Sequence, residues 1–164
     1  MAIIKSNRKV LTVKIESVLE KALIVTGEQA VGFVRPLVPV DTGNLRSSIT
    51  FATVGFRSDP EKVTAKSISD TGGAKISRKT SARNVSGIAS PEDLVDRPQQ
   101  SGHLFVGTNV EYAPHVEFGT NRKGNNETRK GNRLVRRSFL RLGVITHRHE
   151  LAKTFGDVIR GLLR

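Results

Sequence analysis

One stretch, His103 to Thr120, restricts the possible folds of this chain more than any other. His103-Leu104-Phe105-Val106 has the apolar, aromatic and β-branched character of a strand, and Gly107-Thr108-Asn109 then breaks it. The remainder, Val110 to Gly119, reads as a compact turn and short helix. Tyr112, Val116 and Phe118 can share one face at spacings near four, with Glu111 and Glu117 directed elsewhere. Gly119 ends the segment, as a glycine just past a helical turn commonly does. The segment is expected to be a packing hub to which the flanking helices and strands attach. An ordinary strand-to-helix corner would look the same, and accounts for its core-facing residues without any function.

Upstream, Arg8 to Arg35 reads as a long helix. Leu11, Ile15, Val18, Ala22 and Val25 recur at three and four, while Lys14, Glu20, Lys21 and Glu28 fall off that stripe. At 1.5 Å per residue it extends roughly 40 Å. Gly27 and Gly32 weaken its second half, which predicts a kink or close helix packing there, and Pro36 and Pro39 end it. Asp41 or Thr42 is placed to cap a two-turn helix after Gly43 that carries Leu45 and Ile49 on one side. Thr50 to Phe56 alternates at period two and reads as a strand.

From Arg57 to Gly102 the pattern dissolves into Ser, Thr, Gly, Lys and Asp. So long a connection is uncommon inside a compact domain. It is expected as an excursion over 57–102 between two paired strands, mobile or ordered on assembly, with a short hairpin in it. Phe139 to Leu163 reads as a final helix with Phe139, Leu142, Ile145, His149, Ala152, Phe155, Ile159 and Leu162 on its stripe. The expected fold class is α+β within one domain of 164 residues. A small antiparallel β-sheet is packed by the long N-terminal helix and a C-terminal helix, and its open face and edges need cover that a neighbouring subunit could supply.

Charge narrows the partners. The net charge is +12, and residues 120–164 hold twelve Lys/Arg against three Asp/Glu, so nine of the twelve excess charges lie there. Arg122, Lys123, Arg129, Lys130, Arg133, Arg136 and Arg137 alternate with Gly and Asn, which oppose a stable helix, so they read as a basic loop. Such a balance suits a polyanion or an acidic protein surface. With no cysteine there is no disulfide framework and no thiolate chemistry. No run approaches the ~20 apolar residues of a membrane span, and Met1 to Arg8 is too short and polar for a secretory signal.

Little here suggests catalysis. Asp41-Thr42-Gly43 matches the triplet of aspartic proteases, which need two carboxylates sharing a proton. Yet Asn44 follows where a small Ala or Ser is usual, and Pro39 interrupts the strand such a site requires. A helix cap explains the triplet better. His103, His115, His147 and His149 lack metal-ligand company and spacing. No glycine-rich phosphate loop is present, so no cofactor or metal is expected.

Three segments carry a resemblance. Val38-Pro39-Val40-Asp41-Thr42-Gly43-Asn44-Leu45-Arg46-Ser47-Ser48-Ile49 is similar to the "P-V-D-T-G-x-L-R-x-S-I" block of the tail-completion, or neck, proteins of long-tailed bacteriophages. Val106 to Thr120 resembles that family's "V-G-(S/T)-x-V-x-Y-A-x-x-V-E-x-G-T" block, and Ser138-Phe139-Leu140-Arg141 the start of its last helix. Ser138 and Leu142 replace prolines usual there, and the 57–102 excursion is longer than in a minimal member. The resemblance implies a non-enzymatic virion protein, made in the host cytoplasm, that forms a ring of six copies at the head–tail junction. Its implied partners are copies of itself, the head connector or stopper protein and the tail tube or tail terminator protein, with genomic DNA a further contact and no membrane. It also implies a structural role for Asp41, Thr42, Gly43, Leu45, Tyr112, Glu117 and Gly119. The alternative is a basic DNA-binding protein acting through the 122–137 cluster, whose affinity would fall steeply with salt and with Arg→Ala changes at 133, 136 and 137.

Overall fold

The computed structural model describes residues 8–39, 43–64, 86–119 and 138–163. The fold is α+β, as expected: a two-stranded antiparallel sheet packed against a long N-terminal helix and C-terminal helices. Helix α1 (Arg8–Val34) runs into a 3₁₀ turn at Arg35–Leu37, where Pro36 halts it. Helix α2 (Asn44–Ser48) leads into strand β1 (Thr50–Ala52). Strand β4 (Phe105–Gly107) pairs with β1, with Phe51 opposite Val106. Between them lies the 57–102 excursion, whose outgoing and returning arms pair in a short ladder of β2 (Val63–Thr64) with β3 (Ser86–Gly87). Helix α3 (Ala113–Phe118) follows β4, and the chain closes with α4 (Leu140–Thr146) and α5 (Arg148–Leu162).

The core is one cluster: Val31, Val34, Val38, Leu45, Ile49, Phe51, Val110, Ala113 and Phe139. Elements far apart in sequence thus share a single apolar interior, which is the main favourable term in such a fold. Leu45 and Ile49 are buried together, as their spacing predicts.

Three expectations are corrected. The stripe of α1 lies on Ala22, Leu23, Thr26, Gly27, Ala30, Val31 and Val34, and Ile15 and Val25 are exposed. Small side chains let β1 and the C-terminal helices approach this face closely, so it wins over the bulkier one. The strand from Thr50 stops at Ala52 instead of reaching Phe56. The Thr53 N–H donates to the Phe56 carbonyl at 2.8 Å, closing a tight turn, and the Glu20 carboxylate accepts from Thr53 Oγ1 and, at 3.1 Å, from the Gly55 N–H. The final helix is two helices. His147 (φ −100°, ψ 11°) breaks it, and its ring stacks on Phe33 with centroids 3.8 Å apart. Leu142 and Ile145, expected on the stripe, are exposed, and the contacts of the C-terminal pair are made chiefly on α1.

The predicted weakness of α1 at Gly27 is a point of close packing, though against a strand. A Cβ on Gly27 would lie within 2.8 Å of three ring carbons of Phe51, a buried side chain. Gly32 has open space around it. The close helix contact is at Gly143 instead, where a Cβ would fall 2.8 Å from Val34 Cγ2 and 3.1 Å from Val34 Cα. Gly27→Ala should cost about 2 kcal/mol through overpacking, while Gly32→Ala should stabilise α1 slightly. Thermal unfolding of the two variants side by side checks this.

Candidate functional site

Of the two widely separated segments singled out in the sequence, 38–49 and 106–120, the described parts 43–49 and 106–119 meet at α2 and the turn after β4. Gly43 takes the cap position of α2 with φ 98°, a conformation that favours glycine, and its carbonyl accepts from the Ser47 N–H at 2.9 Å. Asp41 and Thr42, expected as the cap, lie outside the described residues. Leu45 reaches the shared core beside Val110 and Ala113. Ser48 Oγ lies 2.6 Å from Thr108 Oγ1, joining the two segments directly. Thr108 Oγ1 also donates to the Asp93 carbonyl at 3.2 Å and accepts from the Val110 N–H at 3.1 Å, and Asn44 Nδ2 donates to Asp93 Oδ2 at 3.3 Å.

The middle residues of α2 tie down the base of the excursion. Arg46 is 1% exposed, and its Nε and Nη2 donate to the two carboxylate oxygens of Glu61 at 3.3 and 3.2 Å. That fork geometry suits arginine and no other side chain. Ser47 Oγ donates to the Glu61 carbonyl at 2.6 Å and accepts from the Ala89 N–H at 2.7 Å, so it clasps both arms of the excursion. Arg35 adds a second cation, 3.6 Å from Glu61, and donates to the Ile49 carbonyl from Nε and Nη2. Burial lowers the Arg35 guanidinium from its ordinary value; Glu61 opposes this and neighbouring Arg46 adds to it.

A third junction is made by Glu117. Its buried carboxylate accepts from the backbone N–H groups of Phe139 (2.7 Å), Leu140 (3.1 Å) and Arg141 (3.1 Å). These are orphan donors at the start of α4, where the helix dipole also favours negative charge. Phe139, at the cap position, has no side chain able to do this, so the cap comes from 22 residues earlier in the chain. Gly119 (φ 75°) then turns the backbone away.

The expected inward face of α3 is corrected here. Tyr112 and Phe118 are 44% and 66% exposed, and Ala113 and Glu117, four apart, face inward. Helix α3 is only six residues long and starts after Tyr112 with Pro114 near its beginning, so the phase is set by Ala113. Sequence reasoning missed Arg46, Ser47, Glu61, Asp93 and the capping role of Glu117. The signal for Glu117 was present: a helix start at Phe139 without a capping side chain, and an acid at an inward helical position.

Beside this body lies an apolar groove of about 770 Å³ between α1, β4, α3 and α4, lined by Phe105, Val106, Phe118, Leu140 and Ile145 with Arg141 among its few polar groups. Among the described residues no group of three His, Cys, Asp or Glu is arranged to hold a metal ion, and no helix is long and apolar enough to cross a membrane. Arg122, Lys123, Arg129, Lys130, Arg133, Arg136 and Arg137 all lie outside the described residues. Compared with known proteins, the chain matches no family model, no curated protein and no solved structure.

Proposed function

We propose that this chain is a non-enzymatic structural protein of the neck of a long-tailed bacteriophage. In this reading it completes the tail and joins it to the head connector, working as a ring of six copies. The observation that carries the reading is the joining of 43–49 to 106–119. The two segments that resemble the neck family are 60 residues apart at Ser48 and Thr108, yet they bond to each other and share one core. A motif pair brought together for chemistry would converge reactive groups. Here four polar side chains of the two segments, Ser47, Ser48, Thr108 and Glu117, bond main-chain atoms, and Arg46 and Asn44 bond the carboxylates of Glu61 and Asp93. That suits a rigid part whose outer faces mate with other proteins.

The short sheet has a half-exposed Phe105 beside the outer edge of β4, which suits contacts between subunits of a closed ring. The basic balance suits an acidic neighbouring ring, or DNA passing through. The test is electron microscopy of particles assembled without this protein. Filled heads and separate, finished tails are expected; joined and infectious particles would refute the reading. DNA binding through the 122–137 cluster is the second reading, supported by nine of the twelve excess charges lying in 120–164.

A further inference from the structure

The groove borders a strand edge that is open at one residue among those described. In β1 the Phe51 N–H donates to Ser58 Oγ at 3.0 Å and the Phe51 carbonyl accepts from the Ser58 N–H at 2.9 Å, so both Phe51 groups point away from β4. Antiparallel pairs alternate between bonded and non-bonded. Phe51 and Val106 are therefore a non-bonded pair, and the N–H and carbonyl of Val106 point away from β1, on a residue that also lines the groove. Further along the same edge, Leu94 bridges Thr108, so the edge is already used as a pairing surface, and among the described residues no further backbone bond meets Val106 on that side.

Around this edge the walls are apolar and uncovered. Phe105, Phe118 and Ile145 are each more than two-fifths exposed. A contiguous apolar patch of this kind marks an interaction site more often than chance exposure. Arg141, one of the lining residues, is exposed, and no salt bridge among the described residues uses it. Its backbone N–H is fixed by Glu117, which holds the first turn of α4 against the groove that Arg141 lines.

We infer that the groove receives an extended, apolar segment of an acidic partner protein, which adds as a strand at Val106 and sets a carboxylate against Arg141. Main-chain bonds to an open edge supply affinity in this mode, and alternate side chains entering apolar pockets supply specificity. Charge decides between occupants. A second copy of a chain at +12 would bring like charge to the groove, whereas an acidic segment is drawn to it. The inference goes beyond the neck reading and stands without it, since it concerns the purified chain alone.

The probes are a fluorescein-labelled peptide, Asp-Val-Ile-Val-Ile-Val-Asp, and its counterpart with lysine at both ends, titrated with the full chain by fluorescence anisotropy. Saturable binding of the acidic peptide is expected, weakened about tenfold by Arg141→Glu, the loss of roughly one good charge contact, and abolished by Phe118→Asp. Both side chains are exposed, so unchanged melting temperatures establish that the variants fold. Absence of saturable binding, equal binding of the lysine peptide, or indifference to Arg141→Glu overturns the inference. So does sedimentation of the free chain as a dimer that either variant dissociates, because the occupant would then be a second copy. Particles that fail to join while this peptide does not bind would leave the neck reading standing and sink the groove.

Discussion

Glu117→Ala should lower the stability of the chain by about 4 kcal/mol, equivalent to a fall of roughly 10 °C in melting temperature for a chain of this size. The size of the effect comes from what the carboxylate does. It satisfies three consecutive N–H groups, one of them on the fully buried Phe139, and each bond is charge-assisted. Loss of an ordinary helix cap costs about 1 kcal/mol; here the deleted group also leaves buried donors unpaired, at ~1–3 kcal/mol each. Arg141 is the most exposed of the three residues, so its amide is expected to add least. Glu117→Gln discriminates cleanly. Its amide oxygen can accept two of the bonds, but the NH₂ turned toward the third donor repels it, so about half the loss is expected. Differential scanning calorimetry of the three proteins measures this. Equal stability of all three would mean that the link between α3 and α4 contributes nothing.

Arg46→Ala should cost about 3 kcal/mol and should act locally before it acts globally. Removing one partner of a buried ion pair typically costs ~3–5 kcal/mol because the other charge is stranded. Glu61 keeps Arg35 nearby and is partly exposed, which trims the figure. Arg46→Lys restores the charge but loses the two-pronged contact, and should recover less than half. Since Arg46 and Ser47 together fasten the base of the excursion, hydrogen exchange at the Glu61 and Ala89 amides should accelerate well before that at Phe139. Uniform acceleration across all three amides would show instead that Arg46 is a part of the general core.

These two residues also mark where the sequence stops being readable. Patterns of apolar residues gave the existence of α1, the pairing of two strands across a long excursion, the burial of Leu45 and Ile49, and the turn at Gly119, although the strands were expected at 50–56 and 103–106 and lie at 50–52 and 105–107, with Gly107 inside the second. Each depends on residues close in sequence, or on the simple alternation of a strand. The inward face of α1 was misplaced because Ala22, Gly27 and Ala30 bury well by being small, and apolar periodicity weights size. The break at His147 has no Pro or Gly to announce it; the stack on Phe33 holds the ring at that point. Glu117 and Arg46 were opaque for a different reason. A buried charge is tolerated only when its partner is in place, and those partners lie 22 and 15 residues away along the chain.

The same buried polar groups give the functional reading its physical basis. A part that must fit between two larger assemblies needs a fixed shape, and α2, the turn after β4 and the start of α4 are each bonded to backbone rather than left to side-chain packing alone. The apolar groove and its lining arginine then remain as outward surface on a stiff body.

Cryo-electron microscopy of complete particles, focused on the joint between head and tail, tests the central claim most directly. A closed ring of six copies of this chain is expected at that joint, with the body containing Leu45, Thr108 and Glu117 fitting the density as one rigid unit. A joint fully occupied by other proteins, with this chain absent from the particle, would contradict it.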